Sequence, residues 1–317
     1  INGKKYSTKK IPIKVNKSKN NKDLDVFISA ELSKNKVYLG EQVTLTYKLY
    51  RKVECSVEPF EIPKFPGFWS EELFRPNQIK FRNISLKGVQ YQEGILYKVA
   101  LFPISGEQIE LKPLTVKIQK QKKKKRRSRD PFFDPFFDSF FTESETKILR
   151  SQKHTVYIKE YPGSRPSGFT GGVGEFNIKT TTDTDSLLVN EAITFSVSIE
   201  GTGNMGLFSI SDLKFSDDID QFPPKENFEK NVFRDELSGK ITWEYILVPR
   251  LAGKLTIPPI NFTFFNPKSE QWNVLSSKPK SVIVKKTNSS FLANRGLTKR
   301  EIEVFGKDIK YIYNGKP

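Results

Sequence analysis

His154 is the only histidine in 317 residues, so any Ser- or Cys-based nucleophilic centre has one base to draw on. It stands in KHTVYIKEYP, where it reads as a strand-edge residue and not as a ligand or a base. Cys55 is likewise the only cysteine, which excludes an intrachain disulfide and a multi-cysteine zinc site. In KVECSVEP it lies just past an alternating strand, the usual place of a small buried hydrophobe. The sharper reading, a redox-sensing thiol, lacks a resolving partner. Carboxylate pairs such as Asp217–Asp218 and Glu71–Glu72 have the residue types of a glycosidase. Pairs this common carry almost no specificity, and the acidic turn SDDID (216–220) fits no known calcium loop. GGVGEF (171–176) matches a phosphate loop only in glycine count, because no helix follows it. No catalytic, cofactor-binding or metal-binding residue is assigned, and the chain reads as a non-enzyme.

The elements around these residues repeat. YLGEQVTLTYKL (38–49) matches LVNEAITFSVSI (188–199). Roughly fifty residues further on in each copy, YKVALFPISG (97–106) aligns with WEYILVPRLAG (243–253). Tyr97 then matches Trp243, and Pro103 matches Pro249. Each copy continues through a Pro into an alternating strand, LKPLTVKIQ (111–119) and IPPINFTFF (257–265). Val43, Leu45, Tyr47 and Leu49 alternate with Thr44, Thr46, Lys48 and Tyr50, as a half-buried strand requires. Ile193, Phe195, Val197 and Ile199 do the same in the second copy. Short alternating strands with Gly and Pro punctuation predict an all-β chain of tandem immunoglobulin-like β-sandwiches. With 36% hydrophobic residues and 26 Phe, each domain can bury an aromatic core without disulfide staples.

The expected organisation follows. Residues 1–21 form the last strand of a preceding β-domain, and 22–160 form a sandwich with an insertion at 120–150. A Gly/Pro/Ser-rich linker (161–172) leads to a second sandwich at 173–286, and 287–317 form a juxtamembrane tail. In that tail Thr298 and Glu301 have capping-box spacing, Leu297 can staple onto Ile302, and Gly306 can end a helix. A short helix of about Lys299–Phe305 is predicted. No run of eighteen apolar residues exists to span a bilayer, and the opening at Ile1 reads as a segment cut from a longer protein.

Net charge is +17, but it is concentrated. Residues 1–22 carry eight Lys and residues 120–129 carry eight Lys and Arg, both without an acid. Without those sixteen, 37 basic residues face 36 acidic ones. A folded basic face for nucleic acid would leave an excess in the body of the chain.

The segment KQKKKKRRSR, followed by DPFFDPFFDSFF, is the least globular stretch of the chain. Its cations Lys122, Lys123, Lys124, Lys125, Arg126, Arg127 and Arg129 stand beside Phe132, Phe133, Phe136, Phe137, Phe140 and Phe141. Asp134 can cap a short helix with Pro135 at its first position, which would gather Phe136, Phe137, Phe140 and Phe141 on one face. Two functional readings fit, a docking peptide for a partner groove and a contact with the bilayer interface. The plain alternative is a loop whose Phe fold back on the domain. Stacking on nucleic-acid bases is disfavoured by the interleaved Asp.

YPGSRPSGFTGGVGEFNI, EGTGNMGLFSISDL, YILVPRLAGKLTIPP and the Asp-Phe-Phe insertion resemble the BatD family, the Bacteroides aerotolerance (oxygen-tolerance) proteins. GKDIKYI (306–312) resembles the segment that precedes the membrane helix in that family. The resemblance implies a signal-bearing precursor, a periplasmic region of tandem β-domains, and an inner-membrane helix after Pro317. It also implies partners: von Willebrand A-domain membrane proteins and a MoxR-type AAA+ ATPase. The expected function is a non-catalytic scaffold in oxygen tolerance or envelope stress. A glycan-binding or adhesin-type sandwich is the alternative, with KFPGFWSEELF (64–74) as its only aromatic platform.

Overall fold

The computed structural model describes residues 24–121, 144–210, 213, 215–231 and 235–286, and every regular element among them is a β-strand. The strand expected in 1–21 and the helix expected at 299–305 lie outside the described residues. The first copy contains β1 (Val26–Leu32), β2 (Lys36–Tyr38), β3 (Val43–Arg51), β4 (Cys55–Val57), β5 (Phe68–Phe74) and β6 (Phe81–Leu86). It continues through β7 (Val89–Pro103), β8 (Gln108–Leu111), β9 (Thr115–Gln121), β10 (Ser144–Arg150) and β11 (His154–Lys159). The second copy contains β12 (Phe169–Thr182), β13 (Ser186–Leu188), β14 (Ile193–Gly203), β15 (Ile219–Gln221) and β16 (Lys225–Lys230). Its remaining strands are β17 (Ser238–Pro249), β18 (Gly253–Ile257), β19 (Asn261–Asn266), β20 (Gln271–Ser276) and β21 (Lys280–Lys285).

The repeat read from sequence is a repeat of topology. One sheet runs β1-β3-β7-β5 with β6 also on β7, and its counterpart runs β12-β14-β17-β15 with β16 also on β17. A second pair of sheets, β2-β11-β8 and β13-β21-β18, corresponds in the same way. This is the layered arrangement of immunoglobulin-like sandwiches, and the inward residues fill it. On β3, Val43, Leu45, Tyr47 and Leu49 are at most 1% exposed, and on β14 Ile193, Phe195, Val197 and Ile199 are wholly buried. Each such side chain contributes roughly 1.5–3 kcal/mol. β3 departs from simple alternation, because its outer residues Thr44, Thr46 and Tyr50 are buried too. Tyr50 stacks on Phe27 at 4.9 Å, and with Tyr91 they make a second, smaller cluster on the outer face.

Each copy also contains one long hairpin with a kink in both arms. In the second copy β19 pairs with β20 and β18 pairs with β21, with prolines Pro258 and Pro259 between the two halves. A proline cannot donate to the ladder, so regular pairing stops there. Ser277 repairs the break: its Oγ accepts from the Ile260 amide at 2.9 Å, and its own amide donates to the Ile260 carbonyl at 2.9 Å. In the first copy Ser151 makes the same two bonds with Leu114, each at 3.0 Å, beside Pro113. Both serines are buried.

By contact, the described residues form two compact units. The first takes in residues up to Lys36, Val43–Leu101 and Gly106–Tyr157. The second takes in Val37–Gln42, Phe102–Ser105 and the described residues from Ile158 onward.

Candidate interaction surfaces

The residues that could do chemistry are placed as structural groups. His154 Nε2 donates to the Ala30 carbonyl at 2.8 Å, which ties β11 to β1. Cys55 is half-buried on β4, and burial pushes its thiol above the ordinary value, away from the reactive thiolate. GGVGEF lies inside β12, where Gly174 pairs with Gly203. In the SDDID turn the Asp218 carbonyl accepts from the Arg250 amide, and Asp220 forms an ion pair with Arg250. Among the described residues no group of three or more His, Cys, Asp or Glu is placed to hold a metal. At 64–74, Phe68 is in the core and Trp69 is half-buried, so the two rings do not form an exposed glycan platform.

One carboxylate is deeply placed. Glu93 on β7 is 5% exposed and accepts from the Tyr50 hydroxyl at 2.8 Å and from Arg82 at 2.6 Å, with Lys48 at 3.5 Å. Burial works to raise its pKa, but the bonds from Tyr50 and Arg82 and the two cationic charges outweigh burial and hold it below the usual range. These contacts make it the centre of a stabilising network on the outer face of the first sheet.

The thirteen residues read from sequence as a contact, Lys122 through Phe141, lie outside the described residues, but the stem that carries them does not. β9 and β10 pair over seven rungs, from Thr115↔Arg150 to Gln121↔Ser144. Lys120, near the tip, lies 3.5 Å from Glu145 and 3.7 Å from Asp25. β10 borders only β9 in its sheet, and Ile148 on its outer side is 66% exposed. The twenty-two residues 122–143 therefore join two strand ends already held in register. In the second copy the same hairpin closes over Pro267–Glu270, with Asn266 Oδ1 accepting from the Lys268 amide at 2.9 Å.

A surface that sequence reasoning does not assemble lies in the second unit. Tyr38, Val173 and Phe265 are buried together, with Tyr161, Phe169 and Trp272 packed on them. Tyr161 stacks parallel to Tyr38 at 5.7 Å and donates its hydroxyl to the Leu39 carbonyl at 2.6 Å. Burial pushes the Tyr161 hydroxyl up to about 12. The cations close the cluster: Lys159 Nζ lies 4.0 Å from the Tyr38 ring centre and 3.0 Å from Glu270, and the Arg165 guanidinium lies 4.6 Å from the Phe169 ring centre. Asn204, 2% exposed, braces the same region by accepting from the Val173 amide and donating to the Gly171 carbonyl. The signals in sequence are EGTGNMG and the aromatic pair of the 161–172 stretch, but neither says what it meets.

Tandem immunoglobulin-like sandwiches, with the candidate chemical groups above committed to structure, define a class of β-domain proteins. Within that class, residues 180–284, most of the second copy, match the BatD DUF11 like domain. No curated protein matches it significantly. Among solved structures, the C-terminal domain of the Streptococcus pyogenes antigen I/II-family protein AspA is similar at 7% identity and a TM-score of 0.19, over 82% of this chain and 100% of that one. The type II cohesin dyad of the ScaA scaffoldin from Acetivibrio cellulolyticus is similar at 11% identity and 0.16, over 82% and 97%. Neither superposition is close enough to bear on function. No helix among the described residues is long and apolar enough to cross a membrane.

Proposed function

We propose that this chain is the non-catalytic periplasmic interaction region of an inner-membrane-anchored protein that supports oxygen tolerance or the envelope stress response. Its contact with partner proteins is made by residues 122–141. The observation that carries this reading is the contrast between two equivalent hairpin ends. Four residues suffice to turn the hairpin in the second copy, whereas the first copy spends twenty-two on the same turn. Folding of the hairpin does not require them, and a loop of this length in a compact domain usually serves a function. Its seven cations supply salt-sensitive long-range attraction, and its six Phe supply salt-insensitive burial. The partners implied by the family are von Willebrand A-domain membrane proteins acting with a MoxR-type ATPase.

The test combines a thermal melt with a pull-down from membranes. Replacing Phe136, Phe137, Phe140 and Phe141 with Ser is expected to abolish capture of the A-domain proteins and leave the melting temperature unchanged. Neutralising the Lys/Arg block is expected mainly to slow association. An earlier melt with capture intact would mean that the Phe fold back on their own domain, and the proposal would fall. Retention on anionic vesicles, with no protein captured, would make the segment a membrane contact instead.

A further inference from the structure

A strand edge left open pairs with other chains, and the first copy treats two of its edges in opposite ways. The edge of β1 is plugged. The Gln152 side-chain amide accepts from the Ala30 amide at 3.2 Å and donates to the Ala30 carbonyl at 2.6 Å, in the place of a neighbouring strand. His154 gives the same carbonyl a second donor at 2.8 Å. The edge of β10 is bare. The Ser151 amide bonds to the Leu114 carbonyl, so in this antiparallel ladder Leu149, Lys147 and Glu145 also turn their peptide groups to β9. Ser144, Thr146, Ile148 and Arg150 turn theirs away from it, and all four residues are exposed, Ile148 at 66%. The seven residues of β10 contain no proline, glycine or register shift that would blunt the edge. No strand among the described residues pairs there.

The charges on β10 select a partner. Glu145 and Lys147 flank Thr146, so an antiparallel strand of the same sequence, centred on Thr146, sets each Glu145 opposite the other copy's Lys147. Opposite charges directly across a strand pair stabilise it, and like charges destabilise it. Lys120 already lies 3.5 Å from Glu145 on the β9 side, so the incoming lysine completes a row of alternating sign. The same register brings Thr146 opposite Thr146, in a pair that exchanges both backbone bonds. Other registers lose this: centred on Lys147 the two lysines collide, and centred on Ile148 each lysine meets Leu149. The pattern is particular to β10. The equivalent strand β20 carries no charge, and in the place of Thr146 it has Trp272, whose indole donates to the Pro162 carbonyl at 3.2 Å.

We propose that β10 is a dimerisation edge, on which two copies of this chain pair antiparallel about Thr146 and merge two β10-β9-β4 sheets into one of six strands. The inference is independent of the function proposed above, because it rests on β10 alone.

Sedimentation velocity of the full chain tests it. A monomer–dimer equilibrium is expected within the range of about 1–100 μM. K147E sets two carboxylates across the interface and E145K sets two lysines there, so each alone is expected to weaken the dimer about ten-fold or more. Mixed in equal amounts, the two variants match every acid with a lysine again, and a heterodimer of natural strength is expected. Thr146→Pro removes a donor that faces outward and leaves the bonds to β9 in place. It is expected to abolish the dimer with the melting temperature unchanged. A chain that stays monomeric throughout the range overturns the proposal. So does a dimer that survives the single charge reversals, or a mixture no more dimeric than its parts.

Discussion

The two copies end their long hairpins differently, and the ends differ in character as well as length. At the tip of the second, Phe265 is fully buried and opposite Trp272, in the aromatic cluster with Tyr38 and Tyr161. At the tip of the first, the corresponding pair is Gln119 and Thr146, both exposed, and the neighbouring Lys120 is held by Asp25 and Glu145. One end has been made into core and the other into surface. The difference is the exchange of two aromatic residues for two polar ones on an unchanged ladder, so a β-sandwich end can be turned from a seat into a free face without altering the fold.

Substitution at the paired positions should break this contrast if it is wrong. Phe265→Ala is expected to cost about 3–5 kcal/mol, as for a buried Phe that leaves a cavity. Gln119→Ala is expected to stay within about 0.5 kcal/mol. Denaturant melts of the two variants check both, and similar costs would mean that the ends are not different in kind. The serine bridges test the opposite claim, that the copies are alike in their hairpin kinks. Ser151→Ala and Ser277→Ala each leave a buried amide unmatched and should each cost about 1–3 kcal/mol. Unequal losses would show that only one kink depends on its serine.

Acid sharpens the comparison further, because Glu93 belongs to the first copy. Its pKa is depressed in the folded state, so its contribution is present above the ordinary carboxylate value and is lost as pH falls through the lowered one. Amide protection in β1 and β3 should therefore weaken in that acid range. Glu93→Gln should be less stable at neutral pH by about 1–3 kcal/mol and should lose that share of the acid sensitivity. The smallest effect is expected at Tyr47, whose hydroxyl is buried with no partner among the described residues, and whose pKa burial raises to about 12. Tyr47→Phe removes a polar atom that gains nothing, so the melting temperature should hold or rise, by at most about 1 kcal/mol equivalent.

Much of the fold is legible in the sequence because its determinants are local. The alternation in VTLTYKL and ITFSVSI reports a strand directly, and the Gly40 and Asn190 positions report a backbone requirement that few residues meet. β10 is harder to see. SETKILR alternates only weakly and follows twenty-two residues of charge and Phe, so in sequence it merges with the insertion, although it is the partner of β9. The serine bridges are invisible for another reason: a serine's value here comes from a proline break on the neighbouring arm, thirty-eight residues earlier for Ser151. The Tyr38 cluster gathers residues more than two hundred positions apart, and no pattern in sequence announces that pairing. The insertion itself is plain in composition, but composition does not name what it touches.

The strand directions of the second copy have a mechanical consequence. β13 and β21 are parallel, and the opening of β12 runs parallel to β19. If tension enters the sandwich at the start of β12 and leaves at Lys285, these rungs lie across the pull and are loaded together in shear. An antiparallel terminal pair would instead open rung by rung, like a zipper. Shear loading raises the force at which such a domain opens at a given pulling rate, a property governed by the unfolding barrier and not by equilibrium stability. Such loading gives β21 a grip that resists its being drawn out along its own axis.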